Sequence, residues 1–123
     1  MSARARVRFD ERTWASDMAR ATPEARAAGE AARARLERDG VPHVELRPCE
    51  AEGRDGTRLP GCLKVYVPAP AGPWGLVFRL ARDCAGVFLA VIAFGLRHPP
   101  PGRRSSVYQV AHQRLQQPSA EGG

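Results

Sequence analysis

The sequence has no cysteines at metal-ligand spacing. Cys49, Cys62 and Cys84 form neither a CxxC pair nor a Cys/His cluster, which argues against structural zinc. The expectation is buried free thiols in a reducing compartment, with no metal and no cofactor. Long apolar runs are missing too. The longest, Cys84 to Leu96, is 13 residues, short of the roughly 20 a membrane helix needs. The charged opening MSARARVRFD leads into no apolar stretch, so no secretory signal, no membrane partner and a cytoplasmic location are expected. Lysine is nearly absent, with one Lys among 19 basic residues. Acid is scarce beyond Asp55. Residues 1–56 carry 11 Arg and 11 Asp or Glu and sum to zero. Residues 57–123 carry eight basic groups against only Asp83 and Glu121, so the whole net charge of +6 lies there. Coding bias accounts for an Arg-rich total but not for this asymmetry. A polyanion, either nucleic acid or an acidic protein segment, is the natural partner of that half.

What is present, 123 residues with 43% hydrophobic content, suits one domain. It is expected over residues 1–117, with 118–123 a flexible tail. Residues 3–9 alternate: Ala3, Ala5, Val7 and Phe9 on one face, Arg4, Arg6 and Arg8 on the other. This predicts one half-buried strand. Asp10 offers an N-cap to a helix bearing Trp14, Met18 and Ala21, and Thr22-Pro23 starts a second that Gly40 ends near Asp39. Val44–Leu46 reads as a brief strand and 47–61 as a loop. Leu63–Val67 alternates, as does the stretch holding Trp74, Leu76, Phe78 and Leu80. Residues 82–86 form a turn, and Val87–Phe94 suits a strand buried on both faces. Residues 98–104, HPPPGRR, fit neither helix nor central strand. Ser106 with Gln109 forms a capping box for a last helix with Val107, Val110, Ala111 and Leu115 inward. The order β-α-α-β-β-β-β-α predicts an α+β fold: an N-terminal strand, a helical hairpin packed on a mostly antiparallel twisted sheet, and a C-terminal helix. Trp14, Trp74, Phe78 and Phe94 read as core, His43 and His112 as surface.

The segment GCLKVYV…WGLVFRL…VFLAVIAFGLRH…SSVYQVAHQRL resembles the RelE/ParE toxins of bacterial type II toxin–antitoxin systems, and the RelE-type mRNA interferases most. The FDER opening (Phe9–Arg12), the helical hairpin, Cys62-Leu63-Lys64, Trp74–Phe78, Gly95-Leu96-Arg97 and Val107-Tyr108 occur in the family's order. The resemblance spans about residues 7–116 and implies a RelE-like microbial ribonuclease-type fold. It implies cleavage of mRNA in the ribosomal A site, without metal, or in a sister branch inhibition of DNA gyrase without RNA cleavage. It also implies a cognate antitoxin whose helix or strand covers the basic face in a toxin–antitoxin hetero-oligomer.

Such cleavage uses the RNA's own 2′-hydroxyl as nucleophile. The protein must move two protons and stabilise added negative charge on the phosphate. By position, the resemblance makes Lys64 a charge neutraliser or base, Arg97 the contact to the scissile phosphate, and Tyr108 a stacking or proton-moving group. Tyr108 titrates near 10 ordinarily, and Arg97, Arg103 and Arg104 are expected to lower it. Tyr66 and Gly75 stand where the family has a lysine and an arginine. Arg79 shares Gly75's face about 13 Å further on, and His98 is the nearest substitute. Arg79, Arg103, Arg104, Tyr66 and Arg114 are the expected RNA-binding residues. The plain alternatives are a solvated strand face for Lys64 and Tyr66, packing for Tyr108, and a loop role for His98. The rival function is a non-nuclease toxin or binding protein of the same fold, a gyrase inhibitor or an antitoxin-binding module.

Overall fold

A computed structural model describes residues 4–49, 59–68, 72–100 and 105–117. The strands are β1 (Arg4–Ala5), β2 (Val7–Arg8), β3 (Val41–Pro42), β4 (Arg47–Pro48), β5 (Cys62–Val67), β6 (Trp74–Asp83) and β7 (Gly86–Leu96). The helices are α1 (Glu11–Arg20), α2 (Pro23–Asp39) and α3 (Val107–Gln116), with one 3-10 turn at His43–Glu45. The fold is α+β, as expected. Five strands form one sheet in the order β2-β7-β6-β5-β4, antiparallel except for the β2–β7 pair, and β1 pairs separately with β3.

The helix boundaries follow the sequence's own caps. The Asp10 carboxylate accepts from Thr13 N at 3.0 Å, and the Thr22 hydroxyl accepts from Ala25 N at 3.2 Å. Gly40, at φ 72°, ends α2 in the left-handed region that glycine adopts at low cost. At α3, Ser106 and Gln109 exchange both bonds of a capping box, leaving two fewer orphan donors.

Alternation on the strands sends side chains to two covered faces. On one, α1 and α2 enclose Trp14, Met18, Leu36, Val65, Val67, Trp74, Leu76, Phe78, Leu89 and Phe94. Trp14 and Trp74 flank Phe94 with ring centroids 5.5 and 5.2 Å away. On the other, α3 covers Cys62, Val77, Ile92 and Ala93 through Val107 and Ala111. An irregularity in the β6–β7 register makes Ile92 the extra residue between Val91 and Ala93, so two consecutive residues join the α3-side cluster.

Five expectations need correction. The single strand over 3–9 is two short pieces with different partners, because Arg4–Ala5 pairs with β3 while Val7–Arg8 pairs with β7. Val44–Leu46 is no strand: residues 43–45 make a 3-10 turn and Val44 is 84% exposed. The loop assigned to 47–61 begins with a strand, β4, paired with β5; its residues 50–58 lie outside the described residues. Only Cys62 of the three free thiols is buried; Cys49 is half-buried and Cys84 exposed. Leu115, expected inward on α3, is exposed instead, as is Leu80. Among the described residues no helix is long and apolar enough to cross a membrane.

Candidate nucleic-acid interface

The register gathers the site. β5 and β6 pair Lys64 with Val77 and Tyr66 with Gly75, so these side chains share the α3 face. Arg97, just beyond β7, is fixed by its N–H donating to Pro73 O at 2.8 Å. Its stem lies across Gly75: a Cβ added there would meet Arg97 Cγ at 3.0 Å and Cδ at 3.1 Å. Position 75 therefore has no room for a second long side chain while Arg97 lies there. Glycine at 75 and the path of the Arg97 stem are thus sterically coupled.

The Arg97 guanidinium ends on the Tyr66 ring, 3.9 Å from its centroid. Lys64 Nζ stands 5.8 Å from the same ring and 5.1 Å from the Tyr108 ring, while Arg47 Cζ approaches Tyr66 at 5.9 Å. These are cation–π distances. Lys64, Arg97 and Tyr108, three of the four residues singled out for chemistry, thus meet with Tyr66 on one surface. Arg47 was missed, because nothing in a Gly- and Pro-rich stretch marks it as facing Lys64 across a ladder. Tyr66 is 47% exposed, leaving part of its ring open to solvent. Arg97 Nε is buried without a hydrogen-bond partner.

Among the described residues, no carboxylate pairs with Lys64, Arg97, Arg47 or Arg79. Arg79 lies opposite Cys62, one row further along the same face and about 7 Å from the Lys64 row, so it extends the surface without joining the cluster. His98 is exposed in the bend after β7. Arg103 and Arg104 lie outside the described residues.

Two expectations change in this region. Burial raises the Tyr108 pKa above its usual value, and the opposing pull of Lys64 and Arg97 does not prevail. The phenol is protonated at neutral pH, a hydrogen-bond or proton donor rather than a base. Arg114 is engaged in the fold. Its guanidinium donates to both Asp17 oxygens, at 2.9 and 2.7 Å, and to Ile92 O at 2.8 Å. Asp17, 5% exposed, also accepts from Phe94 N at 2.9 Å. Arg114 thereby neutralises a buried carboxylate and ties α3 to α1 through β7, rather than facing RNA.

At the other edge of this face the cations are answered. By register Arg8 aligns with Ala90, Arg79 and Cys62. Arg6 and Arg8 lie over Phe88, at 5.6 and 4.2 Å from its ring centroid. Both donate to Asp83, Arg6 at 2.9 Å, and Asp83 also accepts from Ala85 N at 2.9 Å. The Arg6 hydrogen bond, chiefly, holds the Asp83 carboxyl at about 2.

No family model, curated protein or solved structure matches this chain.

Proposed function

We propose that this protein is the toxin component of a type II toxin–antitoxin system, acting as a ribosome-dependent mRNA endoribonuclease of the RelE type. The observation that carries the reading is the meeting of Lys64, Tyr66, Arg97 and Tyr108 on one face whose cations have no carboxylate partner among the described residues. Cations without acids suit a phosphodiester, and an open tyrosine ring suits an unpaired base.

In the proposed reaction the 2′-hydroxyl gives its proton to a water held on the ribosome as its oxygen attacks the neighbouring phosphorus, the bond to the 5′-oxygen breaks, and a 2′,3′-cyclic phosphate and a 5′-hydroxyl form. Arg97 and Lys64 stabilise the charge that grows on the phosphoryl oxygens. Tyr108, protonated at neutral pH, donates toward the departing 5′-oxygen. Tyr66 stacks on a base. The ribosome orients the mRNA and completes the catalytic surroundings, which relieves the protein of supplying a tuned base.

A second reading is favoured by the raised Tyr108 pKa and by Tyr66 and Gly75 standing at family-basic positions: a non-nuclease toxin or binding protein of the same fold, directed at DNA gyrase or kept to bind an antitoxin. In either reading the partner is a cognate antitoxin that covers the cationic face.

Induction in a bacterial host, followed by primer extension on a translated mRNA, tests the first reading. Growth arrest with discrete cleavages is expected, and Arg97→Ala should cut cleavage by about 100- to 1,000-fold. Arrest with intact mRNA and inhibited supercoiling selects the gyrase reading. Unimpaired growth selects the antitoxin-binding module.

A further inference from the structure

Two of the three cysteines face each other across the sheet. β4 pairs with β5 as Arg47↔Lys64 and Pro48↔Leu63, so the next row sets Cys49 opposite Cys62. The Cys49 N–H donates to Cys62 O at 3.0 Å. Residues directly opposite on antiparallel strands project to the same side, with Cα atoms about 4.5–5.5 Å apart. That span lies inside the roughly 4.4–6.8 Å window of a disulfide. Both side chains belong to the α3-side cluster, and both are free thiols. Burial raises the pKa of each, that of Cys49 to about 11, which leaves little thiolate and makes both slow to react at neutral pH.

We propose that Cys49 and Cys62 are an oxidative modification site, closing to an intramolecular disulfide when the chain meets a small disulfide oxidant. Cys49 is the half-exposed member and reacts first. Its thiolate attacks one sulfur of glutathione disulfide, and one glutathione thiolate leaves. The Cys62 thiolate then attacks the Cys49 sulfur of the mixed disulfide, and the second glutathione leaves. Two protein thiols are oxidised, one glutathione disulfide is reduced to two glutathiones, and the two cysteine protons end on the departing thiolates. The link fastens the short edge strand bearing Arg47 to the strand bearing Lys64, one row from the cationic cluster. The inference does not depend on what that cluster binds.

The test is thiol titration and peptide mass mapping of the full chain after equilibration with glutathione disulfide. Cys49 and Cys62 should lose their free thiols without retaining glutathione, while the exposed Cys84 ends as a free thiol or a reversible glutathione adduct. A digest should contain the Cys49 and Cys62 peptides linked, restored to free thiols by dithiothreitol. Cys84→Ser should go to zero free thiols while staying monomeric. Mixed disulfides on Cys49 or Cys62 that never resolve, or cross-links only between chains, overturn the proposal.

Discussion

Two edges of one sheet face carry cations over aromatic rings, and they differ in a single respect. At the β2 edge, Arg6 and Arg8 lie over Phe88 and both donate to Asp83. At the β5 edge, Arg47, Lys64 and Arg97 surround Tyr66, and no described carboxylate answers them. The first arrangement sets one carboxylate against two arginines, offsetting half of its charge, and fastens the β6–β7 turn to the N-terminal strand. The second has no acid set against its cations among the described residues. Arginine count therefore says little about function here; the position of the acids decides. Arg114 makes the same point, because its charge is spent on a buried Asp17.

The contrast breaks most visibly at Arg114. Arg114→Ala leaves the Asp17 carboxylate buried with only the Phe94 N–H, so a loss of about 3–5 kcal/mol is expected in urea unfolding. Arg97→Ala, with no carboxylate partner among the described residues, should lose only about 1 kcal/mol, from its stem packing and its contact with the Tyr66 ring. If the two variants unfold alike, the division between structural and functional arginines fails.

Gly75→Val sharpens the other side. The added carbons need the space of the Arg97 stem and press on Val65 O, 3.3 Å from a Cβ at that position. An overpacking cost of about 1–3 kcal/mol is expected, together with weakened single-stranded RNA binding as Arg97 is displaced. Calorimetry and fluorescence anisotropy measure the two effects; unchanged RNA affinity would show that Arg97 does not act from where it lies.

Asp83→Asn has the smallest effect. The folded carboxyl titrates at about 2, below its ordinary value of about 3.9. Its stabilising contribution is therefore present above the ordinary value and disappears as pH falls toward 2. The variant should be less stable than the parent at pH 6, and the gap should narrow on acidification. Melting curves across that range check it; a gap that stays constant removes Asp83 from the acid response.

Local signals were legible from the residues. Asp10, Thr22 and Ser106 cap as their types and spacing indicate, and the alternation in β5 and β6 gives the two faces directly. Partner choice was not, because it lies between segments. Nothing local in Arg4–Arg8 says that the strand changes partners midway, and Asp17 sits 97 residues from the arginine it binds. The Cys49–Cys62 row was hidden for the same reason, behind a stretch whose Gly and Pro content reads as loop. Lys64, Arg97 and Tyr108 were recognisable by order along the chain and do meet in space. The direction of the Tyr108 shift was not recognisable, since its sign depends on burial of the first turn of α3 against the sheet outweighing the nearby cations.

The central claim is that the Tyr66 edge of the sheet, and not the Phe88 edge, binds RNA. Two double variants, Lys64→Gln/Arg97→Gln and Arg6→Gln/Arg8→Gln, remove the same two charges, so total charge is held equal. The direct measurement is the affinity of each for a single-stranded RNA oligonucleotide across a salt series. The first pair should bind more weakly and flatten the logarithmic salt slope by about 1.4, while the second should keep the parent's slope. Equal slopes for the two pairs would contradict the account.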